Sequence, residues 1–219
     1  MNITHILNIG YPKCGTTWCW KLLRQQTWFN VIKEKENYDL LTGTTVADYE
    51  KSYVNSEITA NFCPVNIALD RYIIKQLSEL PTTKVSIILR NPFDLYWSLR
   101  NFHHDPYNLT YNDSVSNIIN QSWFHRPAHT INRWQQFFGK ERFQIFFYDE
   151  IQKNCSIFFK NYCKKMQLPD PVILDSSPVN VTQYTHKIAE INPELVKIIN
   201  QEIDNLQICV DYDVLKWKQ

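Results

Sequence analysis

The run "ITHILNIGYPKCGTTWCWKLL", Ile3 to Leu23, constrains the fold more than any other stretch of the chain. Ile3 to Ile9 is rich in Ile and Leu and stops at Gly10, the pattern of a short buried strand. From Thr16 onward, Leu22, Leu23 and the tryptophans supply the apolar face of a helix. Between strand and helix lies a loop bounded by Gly10 and Gly15. The whole chain has four glycines, so two of them fall on this one loop. Glycine is the residue for positive φ or for close approach of backbone to a ligand. A loop of this kind turns backbone N–H groups toward a helix N-terminus, where the helix dipole favours an anion. Thr16 and Thr17 can add hydroxyl donors, and Lys13 a mobile positive charge.

The frame from Gly10 to Gly15 matches the spacing of a nucleoside-triphosphate loop, G-x-x-x-x-G-K-[ST]. Thr16 stands where that motif has its lysine, and the lysine comes earlier, at Lys13. This departure counts against a plain ATPase or kinase. Support for that rival comes from "RFQIFFYDE", Arg142 to Glu150, an expected strand whose acidic end at Asp149 and Glu150 resembles a magnesium-binding segment.

Elsewhere, "KVSIILR" (Lys84 to Arg90) reads as a second strand, and Pro92 suits the first turn of the helix after it. Ala68 to Leu80 reads as a helix stopped by Pro81. Further helices are expected in "SVSNIINQSWF", "AHTINRWQQFF", "NCSIFFKNYCKKM" and "NPELVKIINQEIDNL". Strands alternating with helices predict an α/β fold with a central parallel sheet flanked by helices in three layers. At 219 residues, a single domain over 1–219 is expected.

A net charge of +1 gives no reason to expect a nucleic-acid partner. The six cysteines lack C-x-x-C spacing and are expected as free thiols. No signal peptide or membrane-length apolar run is visible, so a cytoplasmic location is expected. Oligomeric state leaves no trace in the sequence.

"YPKCGTTW", Tyr11 to Trp18, resembles the 5′-phosphosulfate-binding loop of sulfotransferases, P-K-S-G-T-T-W. Six of its seven positions agree, with Cys14 in place of the serine. The family's 3′-phosphate site follows a strand and pairs an arginine with a serine eight residues later. "ILRNPFDLYWSLRNF" has Arg90 and Ser98 at that spacing. The resemblance implies a P-loop nucleotide-kinase-like fold and 3′-phosphoadenosine 5′-phosphosulfate (PAPS) as co-substrate. It also implies adenosine 3′,5′-bisphosphate (PAP) as product, with no metal required. Cofactor contacts would come from Lys13, Cys14, Gly15, Thr16, Thr17, Trp18, Arg90 and Ser98. Lys13 would also neutralise charge on the leaving phosphate.

For the general base, "SEITANFCPVN" (Ser56 to Asn66) is similar to the glutamate motif of heparan-type and bacterial sulfotransferases. Glu57 aligns with the base, while Ile58 replaces a lysine of the motif. A histidine base is the alternative, although His103, His104, His125 and His129 have no motif to place them. The likeness to that subset implies a glycan acceptor ahead of a lipid, phenol or peptide tyrosine. Trp18 and Trp20 suit core packing as well as an adenine border. Tyr184 and Lys187, in "PVNVTQYTHK", suit a ligand-side loop as well as plain surface. A nucleotide-binding protein without catalysis is the remaining alternative.

Overall fold

In the computed structural model, four strands form one parallel sheet: β1 (Thr4–Asn8), β2 (Ile58–Phe62), β3 (Thr83–Leu89) and β4 (Phe143–Phe147). Residues 4–31, 34–53, 55–104, 126–175, 177, 191 and 193–219 are described. The helices are α1 (Thr16–Leu23), α2 (Val46–Lys51), α3 (Arg71–Glu79), α4 (Pro92–His104), α5 (Pro127–Arg142), α6 (Tyr148–Lys153), α7 (Cys155–Lys165) and α8 (Pro193–Cys209). The expected helix in "SVSNIINQSWF" lies outside the described residues, as do His125, Tyr184 and Lys187 and the side chains of His103 and His104. Among the described residues, no helix is long and apolar enough to cross a membrane.

The chain forms two compact units. The first comprises Met1–Leu89 and Arg133–Val179, and it holds the whole sheet. The second comprises Arg90–Asn132 and Asn180–Gln219. Its helix α8 buries Leu195, Ile199, Ile203 and Leu206, a helical apolar stripe.

The strand order is β2-β1-β3-β4. The chain steps from β1 to β2 in one direction, then passes back over β1 to reach β3. Right-handed crossovers in opposite directions put their helices on opposite faces of the sheet. Helix contacts fall on both faces of the sheet. On one face, Trp18 of α1 meets Phe158 and Phe159 of α7, and Tyr162 of α7 bonds to Ser86 of β3 at 3.0 Å. On the other, Tyr49 of α2 bonds to His5 of β1 at 2.8 Å. All five residues of β1 are buried, as expected for a strand covered on both sides. The reversal of direction at β1 is a topological switch point, the place where open α/β sheets bind ligands at their carboxyl edge. The loop from Gly10 to Gly15 leaves β1 at that edge.

β2 is the strand that sequence pattern did not predict. Its outer edge is covered, since Asn30 N–H donates to the Ile58 carbonyl and Phe62 N–H to the Lys35 carbonyl, both at 2.8 Å. β4 is shorter than expected. It ends at Phe147, and Tyr148, Asp149 and Glu150 open helix α6. The acidic pair therefore sits in a first helical turn, not at a strand end. All six cysteines are free thiols, four of them buried.

Candidate active site

The first turn of α1 supplies the clearest chemistry. α2, α3 and α7 are each capped by a side chain that accepts from an N–H of the first turn: Thr45 from Asp48, Asp70 from Ile73, and Asn154 from Ile157. α1 has no side-chain cap and no acidic residue in its first turn. Its N-cap is Gly15, in the left-handed region at φ 81°. The backbone donors of Thr16 and Thr17 thus meet no competing side-chain acceptor from the cap.

The loop is held firmly at both ends. Ile9 N–H donates to the Ser86 carbonyl (3.0 Å), Tyr11 N–H to Ile88 (3.2 Å), and Ile88 N–H to Gly10 (3.1 Å). Pairing with β3 thus continues beyond the last residue of β1. Gly15 is confined as well as left-handed. A Cβ there would lie 2.9 Å from Ile151 Cδ1 and 3.3 Å from the Tyr148 ring, both on α6. Sequence reasoning missed this role of α6. Lys13 also has positive φ, 61°, which an L-residue adopts only when its surroundings enforce it. It is partly exposed, whereas Cys14 is fully buried and Thr16 is buried. Trp18 is buried against α7, and Trp20 against Phe29 and Phe62. Both rings contribute to the core, the reading that their helical spacing allowed.

Glu57 is placed elsewhere. The register pairs Thr4 with Ile58 and Asn8 with Phe62, and Thr4 N–H donates to the Glu57 carbonyl at 2.7 Å. Glu57 therefore sits at the amino edge of the sheet, exposed to solvent. The Lys13 loop leaves the carboxyl edge, a β1 length of about 13 Å away at ~3.3 Å per residue. A general base must reach its proton through a hydrogen bond or a single water. The expected catalytic role of Glu57 is corrected on this geometry. Glu57→Gln is predicted to leave turnover within about twofold of wild type in a steady-state assay, where loss of a general base costs ~10²-fold or more.

In the second unit, Arg90 is partly buried and Ser98 of α4 is buried at 2 % exposure. Asn91 Oδ1 accepts from Phe93 N–H at 3.0 Å, and Pro92 takes the first helical position, where its missing donor costs nothing. This cap fixes the start of α4 immediately after Arg90. His129, on α5, is exposed.

A family model described as "Sulfotransferase domain" matches residues 3–164. The chain belongs to the sulfotransferase family. That span contains the Lys13 loop and the Arg90–Ser98 element. A sulfotransferase from Alicyclobacillus acidocaldarius has a similar structure, with TM-score 0.75 and 17% identity over 100% of both chains. The sulfotransferase domain of the Synechococcus PCC 7002 olefin synthase is more distant, with TM-score 0.50 and 14% identity over 76% of this chain and 73% of that one. No curated protein is a match in sequence. The family supports sulfuryl transfer over phosphoryl transfer, and the helical position of Asp149 and Glu150 removes the strand-end feature on which the kinase reading stood.

Proposed function

We propose that this sulfotransferase moves the sulfuryl group of PAPS to an acceptor hydroxyl, and less readily to an amine, releasing PAP. The bond between sulfur and the bridging oxygen of the 5′-phosphate breaks, and its electron pair stays on that oxygen. A bond forms from sulfur to the acceptor oxygen, whose proton passes to a base other than Glu57 or to water. Lys13 meets the charge growing on the bridging oxygen. The N–H groups that open α1 and the hydroxyls of Thr16 and Thr17 hold the 5′-phosphate end. Arg90 and Ser98 hold the 3′-phosphate, the guanidinium through charge-assisted hydrogen bonds. We favour a carbohydrate acceptor, which the chain's 14% aromatic content suits through ring stacking on a sugar face.

The observation that carries this reading is the uncapped N-terminus of α1, with Lys13 in the loop before it, at the switch point of a parallel sheet. Incubation with ³⁵S-labelled PAPS and a panel of glycans, phenols and amines tests it. Transfer of label to at least one hydroxyl acceptor is expected, and absence of PAPS binding would defeat it. Arg90→Ala should weaken PAP binding by about 2 kcal/mol, roughly 30-fold. Titration calorimetry reads this directly, and an unchanged affinity would remove Arg90 from the site.

A further inference from the structure

Asn66 and Arg133, which meet at Ile67 in the first unit, have polar atoms with no partner among the described residues. Asn66 lies in the 3-10 turn Pro64–Ala68 that follows β2. Its side chain is completely buried, yet neither the amide nitrogen nor the amide oxygen has a hydrogen-bond partner. Arg133, on α5, donates from Nη2 to the carbonyl of Ile67, the residue after Asn66. Its Nε is buried and also lacks a partner. Buried amides and guanidinium groups nearly always find partners, because an unmet group keeps the full cost of leaving water.

The electrostatics of this stretch favour an anion. Burial holds the Arg133 pKa below its ordinary value, and the positive charge of Arg71 acts in the same direction. Tyr11 and Asp70 oppose them, and Asp70 is exposed. Among the described residues no carboxylate pairs with this half-buried guanidinium, and an anion that reaches its N–H would stabilise it. The stretch also borders the phosphate loop. A Cβ on Gly10 would meet the Pro64 carbonyl at 3.3 Å and the Ile67 side chain at 3.5 Å. Tyr11 lies within electrostatic reach of Arg133.

We infer that Asn66 and Arg133 form a specificity subsite beside the phosphate loop, which reads an anionic group on the acceptor, either a carboxylate or a sulfate ester. The inference rests on the proposed sulfotransferase reaction. Arg133 supplies charge and an N–H donor, and the Asn66 amide supplies a second donor to the same anion. The acceptor class narrows to acidic glycans and related anionic alcohols.

The test uses the full chain saturated with PAP, so that the phosphate loop is filled. Methyl β-D-glucuronide, methyl 6-O-sulfo-β-D-glucoside and methyl β-D-glucoside are titrated by calorimetry. At least one anionic glycoside should bind tenfold or more tightly than the neutral one, and its identity tells carboxylate from sulfate. Arg133→Gln should erase the preference, Arg133→Lys should keep part of it, and Asn66→Ala should reduce it. PAP affinity should stay within twofold in all three variants, which also serves as the control for folding. Equal binding of the three glycosides, no binding of either anion, or a preference that survives in Arg133→Gln overturns the inference. Loss of PAP binding by the wild-type chain would instead defeat the proposed function.

Discussion

Replacing Lys13 with alanine is expected to lower kcat by about 10²–10³-fold, the usual cost of removing one preorganised group from a developing oxyanion. The backbone at Lys13 is tightly constrained. It holds φ 61° in a loop pinned to β3 through Tyr11 and Gly10, and the next residue but one, Gly15, has its Cβ side closed by Ile151 and Tyr148. In the proposed reaction, the ammonium meets charge that forms on the bridging oxygen only in the transition state. The loss should therefore fall on kcat more than on PAPS affinity, because the α1 N–H groups and Arg90 remain. Lys13→Arg should not restore the rate, since a planar fork does not replace a compact ammonium. Single-turnover transfer from labelled PAPS measures the effect, and an unchanged rate constant in Lys13→Ala would remove the residue from the chemistry.

Acid should destabilise the protein through His5. The ring is fully buried in β1, with Nδ1 2.7 Å from Thr59 Oγ1 and Nε2 2.8 Å from the Tyr49 hydroxyl. Tyr53 stacks on it with ring centroids 3.8 Å apart. The Tyr49 oxygen also accepts from Asn61 Nδ2 at 3.1 Å, which leaves its own proton for His5 Nε2. The neutral Nδ1–H tautomer matches both ring bonds, whereas a second ring proton would displace the Tyr49 donor. Burial accordingly lowers the His5 pKa from 6.5 to about 3. The unfolded chain takes up a proton near pH 6.5 and the folded one does not. The stability that His5 contributes is complete above pH 6.5 and is lost as pH falls toward 3. The slope approaches 1.4 kcal/mol per pH unit, for a total on the order of 5 kcal/mol. Urea unfolding of wild type and His5→Phe between pH 7 and 4 isolates the term, because the other titrating groups are common to both. The gap between the two proteins should shrink as pH falls. Parallel loss of stability would contradict the assignment.

The strands at β1, β3 and β4 were legible because apolar residues fill them. β2 was not, and the reason lies in its side chains. Thr59 and Asn61 of "ITANF" are the buried residues at alternate positions, while Ile58 and Ala60 are partly exposed. Thr59 is satisfied by His5, and Asn61 by Asn37 and Tyr49. The usual alternation of apolar inside and polar outside is thus inverted, and no period-2 hydrophobic signal survives. The missed strand led directly to the misplacement of Glu57. A motif matched by residue type alone did not show that its glutamate precedes a strand and so lies at the amino edge. The loop at Lys13 was legible because glycine is scarce in this chain and two of the four flank one lysine. Asn66 and Arg133 gave no such signal. One asparagine in an Asn-rich chain and one arginine on an amphipathic helix acquire meaning only through burial without partners.

The central claim is that one nucleotide bridges the Lys13 loop and the Arg90–Ser98 element. A crystal structure of the complex with PAP measures this most directly. The account predicts the 5′-phosphate on the N–H groups of Gly15 to Thr17 beside Lys13, and the 3′-phosphate on Arg90 and Ser98 of the same molecule. A PAP molecule that engages one of these elements while the other faces solvent, or that binds at neither, would contradict it.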